Sequence, residues 1–309
     1  MKAIKFLVFL FTAAFLITSC NKVTYRKTAG GLPYKLYEGK SGSRKIQVGN
    51  FIKLSLTQEI KDSVSFTTAD KMPLYLRVME TSTPYDITEL WSKLHKGDSV
   101  VATQLIDTFI KRSPANVPPQ YKNGDQIKYY IKILDVFTSD SAAQADENNT
   151  KSNILKEEIA AVESYLKSKN ISAQKTPSGA FIHITDPGTG NAIDSGKYVS
   201  LRYKGTSFSG KVFDANIDTT AGDKPLLSFT IGTGRMIRGF EEGVKFLKYG
   251  GTGTIYVPSL LAYGAAPGTE LIKPFESIYF EVKVIDVKDK EPAQPQGLQG
   301  QPQQAPAGH

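Results

Sequence analysis

A chain of 309 residues is long enough for two domains, since single domains usually hold about 100–200 residues. Hydrophobic residues make up 40% of it and charged residues 22%, which are ordinary values for a globular protein. The formal net charge is +8, but the lysines are spread along both halves without a dense basic run, so we predict no nucleic-acid partner. A single cysteine excludes an internal disulfide.

The first twenty residues have the features of an export signal. Lys2 and Lys5 form a basic start, and an apolar run over 6–17 is too short to span a membrane comfortably. Small residues then precede Cys20, and this ending resembles the signal of bacterial lipoproteins, in which the cysteine is lipidated and becomes the new N-terminus. We predict a signal peptide over 1–20, a membrane anchor through a lipid at Cys20, and a place in the bacterial cell envelope that faces the periplasm. An ordinary secretory signal with an incidental cysteine is the alternative.

Two polar segments divide the rest of the chain. Residues 139–151 lack large apolar side chains and are predicted to form a linker. Residues 291–309 are rich in proline, glutamine and glycine, and they are predicted to form a disordered tail.

A connecting helix is predicted over 152–170, directly after the linker. Its apolar residues fall on one face of a helix, at Leu155, Ile159, Val162 and Leu166. Such a stripe packs either on the helix's own domain, which we favour, or on a second copy of the chain. A homodimer through this helix or through the N-terminal domain is therefore left open.

The two remaining regions, 24–138 and 171–290, repeat one order of elements. Each opens with an apolar strand and a Gly-rich turn, continues with an alternating strand and a short helix, and closes on a long strand. We infer a duplicated domain whose first copy has diverged. This order predicts the α+β class, with two domains that each wrap an antiparallel sheet on a short helix and are joined by the connecting helix.

Familiar catalytic machinery is largely missing from the sequence. The three histidines lie far apart without ligand-type spacing, and one cysteine cannot complete a cysteine–histidine metal site. Gly232, Gly234 and Gly239 miss the G-x-G-x-x-G spacing of a dinucleotide loop, and they follow no βαβ pattern. We therefore predict neither a metal nor a cofactor.

What remains, between residues 179 and 289, is a set of aromatic residues, one acid and several glycines in short blocks. In chain order the blocks are Arg202-Tyr203-Lys204-Gly205, Phe213-Asp214, Ile237-Arg238-Gly239-Phe240-Glu241-Glu242-Gly243, Ala262-Tyr263-Gly264 and Ile278-Tyr279-Phe280-Glu281-Val282. In this order and within one domain length, they resemble the FKBP family of peptidyl-prolyl cis-trans isomerases. The resemblance implies two FKBP-like domains, and it covers the first repeat only in outline.

The chemistry of such an isomerase suits these residues. Rotation about an X-Pro bond twists an amide out of resonance, against a barrier of about 20 kcal/mol. The twisted amide has a less polar carbonyl than the planar one. A dry aromatic pocket therefore favours the twisted form relative to water, and neither a nucleophile nor a metal is needed.

The resemblance also implies a role for each site residue. An aromatic cup around the proline ring would consist of Tyr203, Phe213, Phe240 and Phe280. Further substrate contacts would come from Leu227 in the wall, Met236 at one edge, and Leu271 and Ile272 in a flap. The catalytic groups would be the Asp214 carboxylate, the Ile237 backbone N–H as donor to a substrate carbonyl, and the Tyr263 hydroxyl as a second donor. On pattern alone, the aromatic residues also suit an ordinary core and Asp214 suits a turn.

The sequence departs from the family pattern at several positions. Phe240 stands where the family often has tryptophan, and no arginine follows Asp214. In the first repeat, Leu56-Thr57-Gln58 stands in place of Tyr203-Lys204-Gly205, and the Phe-Asp block has no counterpart. We therefore predict that the first domain keeps the fold without the pocket.

Together these features predict an isomerase that acts on X-Pro segments of exported or unfolded proteins at the bacterial envelope, where slow prolines limit refolding. Two other classes stay open. The protein could be a chaperone that holds peptides in the same apolar pocket without turnover, or a structural lipoprotein in which both domains are scaffolds.

Overall fold

The computed structural model describes residues 23–69, 71–81, 83–117, 119–217, 224–265, 269 and 271–292. The chain divides into two units, Met1–Asn148 and Asn149–His309. Cys20 and the tail beyond 292 lie outside the described residues, so the lipid anchor and the disordered tail stay predictions. Among the described helices, none is long and apolar enough to cross a bilayer.

The first unit is built on an antiparallel sheet of seven strands. The strands are β1 Val23–Lys27, β2 Pro33–Tyr37, β3 Phe51–Ile60, β4 Ser63–Thr67, β5 Leu74–Arg77, β6 Ser99–Leu105 and β7 Gln126–Phe137. They lie in the order β1-β2-β6-β7-β3-β4, and β5 also pairs with β3. A 3-10 helix spans Ile87–Lys93, helix α1 spans Asp107–Arg112, and a 3-10 turn spans Pro114–Asn116.

The second unit has a sheet of the same size. Its strands are β8 Gln174–Lys175, β9 Phe181–Asp186, β10 Tyr198–Ser207, β11 Val212–Ala215, β12 Leu227–Thr230, β13 Thr252–Val257 and β14 Ile278–Lys288. They lie in the order β11-β10-β14-β13-β9-β8, and β12 also pairs with β10. One short helix spans Arg238–Val244, and a 3-10 turn spans Ser259–Leu261.

The two sheets share one topology. Read from β4, the first sheet runs β4-β3-β7-β6-β2-β1, which matches the order of the second sheet strand for strand. A break in register recurs as well, between Lys53 and Leu54 in β3 and between Ser200 and Leu201 in β10. The prediction of an α+β fold with two antiparallel sheets is confirmed.

A long helix, α2, spans Asp140–Ser168 and continues across the boundary between the units. The linker predicted over 139–151 is therefore wrong from Asp140 onward. The first half of α2 contains helix-forming residues but no apolar stripe. An apolar stripe is not needed here, because this half of the helix is held by polar contacts. Asp146 accepts hydrogen bonds from Lys53 Nζ at 2.7 Å and from the Tyr75 hydroxyl at 2.6 Å.

The second half of α2 carries the apolar stripe that the sequence predicts. Val162 and Leu166 are buried in a cluster with Phe181 and Tyr256 of the second sheet. Leu155 packs against the main core of the same unit. This half of the helix therefore docks on the unit to which it belongs.

The short helix Arg238–Val244, here α3, lies close to strand β13 because two of its positions are glycine. A Cβ atom on Gly239 would lie 2.4 Å from Val257 Cγ1, and one on Gly243 would lie 2.5 Å from Ile255 Cγ2. This close approach places Phe240, which is 2% exposed, in the core between helix and sheet.

Candidate active site

The site is built around Gly205, where two strands meet the same residue of β10. Gly205 lies opposite Asp214 of β11 on one side and opposite Phe280 of β14 on the other. A Cβ atom at Gly205 would lie 2.6 Å from Phe213 Cζ and 3.0 Å from Phe280 Cε1. Glycine is therefore required for both rings to cover this part of the strand.

The four aromatic residues predicted to form a cup lie together beside Gly205. The Phe280 ring centroid is 4.8 Å from that of Phe240 and 5.7 Å from that of Phe213. The Tyr203 centroid is 6.5 Å from that of Phe240 and 6.3 Å from that of Phe280. Phe240 and Phe280 are buried, whereas Tyr203 and Phe213 are half-buried. The cluster therefore has a closed aromatic floor and an open rim, with the spacing of favourable aromatic pairs.

A carboxylate and two phenols stand at that rim. Asp214 is exposed and accepts a hydrogen bond from the Tyr203 hydroxyl. Burial raises the pKa of Tyr203, and the hydrogen bond to Asp214 and its negative charge raise it further. Burial and the same charge also raise the pKa of Tyr263. Both phenols therefore stay protonated at neutral pH and remain hydrogen-bond donors.

Tyr263 approaches the cup from the loop that follows the 3-10 turn Ser259–Leu261. Its ring meets the Phe213 ring edge to face, with centroids 6.3 Å apart. The side chain is 39% exposed, so it is accessible from solvent.

The remaining predicted residues divide into two groups. Leu227, Met236 and Ile237 are half-buried and pack against the core that contains the cup, and Ile237 is the N-cap of α3. Ile272 is buried in that core. Leu271 is 43% exposed and is not a member of this cluster, so the structure leaves its predicted flap contact unsupported.

Asn216, which the sequence analysis did not single out, connects the backbone of β10 near Tyr203 to the segment that follows Asp214. Its side chain is buried, and Oδ1 accepts a hydrogen bond from the Tyr203 backbone N–H at 2.6 Å. Nδ2 donates to the carbonyls of Leu201 at 3.2 Å and Pro225 at 3.1 Å. The sequence signal for this role is an asparagine just after Asp214, which on pattern alone reads as a turn.

The first unit carries other residues at the matching sheet positions. Gln58 lies opposite Phe66 of β4 and opposite Tyr129 of β7. Gly205 holds the equivalent place between β11 and β14. An apolar ring, Phe66, thus takes the place of Asp214 in the first unit.

The geometry as a whole combines an apolar cup with hydrogen-bonding groups at its mouth. Within the described ranges, no group of three His, Cys, Asp or Glu residues could hold a metal ion. The cup, its floor and its rim all belong to the second unit.

Comparison with known proteins identifies the family. A family model described as FKBP-type peptidyl-prolyl cis-trans isomerase matches residues 190–285. The FKBP-type peptidyl-prolyl cis-trans isomerase FkpA of Escherichia coli K12 is 30% identical over 213 residues, which cover 69% of this chain and 71% of FkpA. An FK506-binding protein of Neisseria meningitidis serogroup B is 31% identical over 109 residues, or 35% of this chain and 96% of that protein. The chain belongs to the FKBP-type peptidyl-prolyl cis-trans isomerase family.

Coverage differs strongly among the relatives. Fungal proteins named FK506-binding protein 4, from Rhizopus delemar, Neurospora crassa, Mycosarcoma maydis and Chaetomium thermophilum, are 34–37% identical to this chain. The chain spans only 22–29% of their length.

Proposed function

We propose that the protein is a peptidyl-prolyl cis-trans isomerase that acts on X-Pro bonds of exported or unfolded proteins. The observation that carries this proposal is the pairing of a closed aromatic floor, Phe240 and Phe280, with the Tyr203–Asp214 hydrogen bond at its rim. Membership of the isomerase family supports it.

The mechanism follows from the polarity of the cup. A proline ring on the aromatic floor brings its amide to the rim and out of bulk water. Resonance loss makes the twisted amide less polar than the planar one, so desolvation costs the transition state less than the ground state. The Tyr263 hydroxyl and the Ile237 backbone N–H donate to substrate carbonyls and hold the chain on either side of the rotating bond. Asp214 acts on the carbonyl of the twisting amide and orients the Tyr203 hydroxyl.

A protease-free isomerisation assay on residues 21–309 tests this proposal. We expect the protein to accelerate the cis-to-trans exchange of an X-Pro peptide, with turnover at substoichiometric enzyme. A folded chain that binds proline peptides without accelerating exchange would instead support the chaperone alternative.

We expect Gly205→Ala to lower kcat/KM in that assay by about tenfold, because the new methyl group would overlap Phe213 and Phe280 and displace them from the cup. The matched control is Lys204→Ala on the same strand, since the Lys204 side chain makes a surface ion pair with Glu281 at 3.1 Å and such pairs contribute little. Equal activity of the two variants would show that the rings need not cover the strand.

We further propose that the protein is anchored to a membrane of the bacterial envelope by a lipid at Cys20, facing the periplasm. The support is the order of basic start, short apolar run and small residues before the cysteine. We place any homodimer contact on the first unit, because the apolar stripe of α2 is already buried against the second unit. Analytical ultracentrifugation of residues 21–309 tests that contact.

Replacing Cys20 with alanine is expected to move the protein from the membrane fraction to the soluble fraction of cells that export it, and to remove the mass of the acyl chains. Ser19→Ala keeps a small residue before the cysteine and should leave the protein with the membrane. An unmodified Cys20 in the mass spectrum of the wild-type protein would refute the anchor and favour an ordinary secretory signal.

A further inference from the structure

Helix α2 makes a polar contact with the loop that carries Tyr263. Glu158 in the middle of this helix is half-buried, and its carboxylate accepts two hydrogen bonds. One comes from the Ser259 hydroxyl, and the other comes from the Leu260 backbone N–H at 2.9 Å. Both donors belong to the 3-10 turn, which lies about a hundred residues further along the chain.

Ser259 connects Glu158 to the backbone around Tyr263 through further hydrogen bonds. It is 1% exposed, and its carbonyl accepts hydrogen bonds from the N–H groups of Ala262 at 3.0 Å and Gly264 at 2.9 Å. These two residues flank Tyr263 directly. A rotation of Ser259 would therefore move both ends of the peptide segment that aims the Tyr263 side chain.

The two hydrogen bonds of Glu158 exceed what docking of the helix requires. The apolar stripe already holds this half of α2 against the unit, through Val162 and Leu166 among others. Glu158 instead binds the 3-10 turn that precedes Tyr263, and the phenol of Tyr263 lies at the rim of the cup. It also lies outside residues 190–285, which match the family model, so the contact comes from a part of the chain beyond that match.

We propose that Glu158 is a positioning residue for the isomerase site, and that α2 thereby forms part of the catalytic unit. The proposal rests on the function proposed above, through the role of Tyr263 as a donor to the substrate. A donor that holds the substrate chain in the geometry of the twisted amide contributes to kcat more than to KM, and a displacement of about 1 Å can cost up to a hundredfold in rate.

The test combines kinetics with hydrogen exchange on residues 21–309. We expect Glu158→Ala to lower kcat by about tenfold with little change in KM. In the same variant, the amides of Ala262 and Gly264 should exchange at least about tenfold faster, whereas amides of strand β13 keep their protection. Glu158→Gln keeps an acceptor for Leu260 and a group that can pair with Ser259, so it should recover most of both losses.

Two further variants complete the design. Glu157→Ala, at an exposed neighbouring position on the same helix, should change neither readout. Ser259→Ala removes only the hydroxyl partner and replaces Glu158→Ala as the decisive variant if the latter unfolds, which faster exchange throughout β13 would reveal.

The outcomes separate this proposal from the function on which it rests. Wild-type kcat in a folded Glu158→Ala variant, or wild-type exchange at Ala262 and Gly264, would overturn the proposal. An inactive wild-type chain would overturn the proposed function, and the positioning role of Glu158 with it. Faster exchange confined to the loop, together with a lower kcat that glutamine restores, would establish Glu158 as a positioning residue.

Discussion

Asp214→Ala is expected to lower kcat/KM for prolyl isomerisation by about 10- to 100-fold, which is the usual range for the loss of one hydrogen-bonded charged group. The carboxylate stands at the rim of the cup, where it can act on the carbonyl of the twisting amide, and its hydrogen bond orients the Tyr203 hydroxyl. Because Asp214 is exposed, its loss should leave the free energy of unfolding nearly unchanged. The protease-free assay and chemical denaturation measure the two quantities.

Asp214→Asn separates the charge of this residue from its place in the hydrogen-bond network. Asparagine can still accept a hydrogen bond from Tyr203 but carries no charge. Activity that falls as far as in Asp214→Ala would show that the charge acts on the substrate, whereas full activity would leave only the orienting role. Asp194→Ala serves as the control, because Asp194 is an exposed acid in a turn of the same unit.

Asp214→Ala also distinguishes the isomerase from a chaperone. In the chaperone alternative, the apolar floor would hold an unfolded client, and Asp214→Ala leaves that floor intact. We therefore expect suppression of client aggregation to survive while turnover falls. A parallel fall in both activities would contradict the assignment of separate roles to the floor and the rim.

Phe240→Ala is expected to lower the free energy of unfolding of the second unit by about 3–5 kcal/mol, the usual cost of truncating a buried phenylalanine. Phe240 is 2% exposed and lies between Phe280, at a centroid distance of 4.8 Å, and Phe229, at 6.2 Å. Its removal opens a cavity between α3 and the sheet and takes away the floor of the cup. Isomerase activity should therefore fall with stability.

Denaturant unfolding followed by far-ultraviolet circular dichroism measures this effect. The matched control is Tyr249→Ala, which truncates an aromatic side chain that is 56% exposed and should cost less than about 1 kcal/mol. If Phe240→Ala lowers the free energy of unfolding by a similarly small amount, then Phe240 does not support both the core and the cup.

Local patterns in the sequence predicted most of the fold. The alternation of apolar residues marks the long strands β10 and β14, and the apolar stripe marks the second half of α2. These signals depend on neighbours within one or two turns or along one strand. The same locality explains the wrong linker over 139–151. That half of the helix faces Lys53 and Tyr75, and a helix held by polar contacts shows no apolar period.

For the candidate site, the sequence predicted only those residues that lie in the short motif blocks. The blocks contain the four cup residues and Asp214, and the structure brings these together. The blocks do not show that Gly205 must lack a side chain so that two rings can cover it. That requirement depends on the register of β10 with its neighbour β11 and with β14, which lies some seventy residues further along the chain.

The sequence by itself determined the class of fold, the repeated order of elements, the family of the second unit and the membership of the aromatic cup. Only the tertiary structure decided that Asn216 binds the backbone N–H of Tyr203 and that Glu158 on α2 binds the turn before Tyr263. The physical reason is the range of the interactions. Periodicity and motif blocks record the burial of residues close together in the chain, whereas Glu158 and Ser259 meet across 101 residues. Their hydrogen bond exists because the packing of a helix on a sheet brings them together, and no spacing along the chain records that contact.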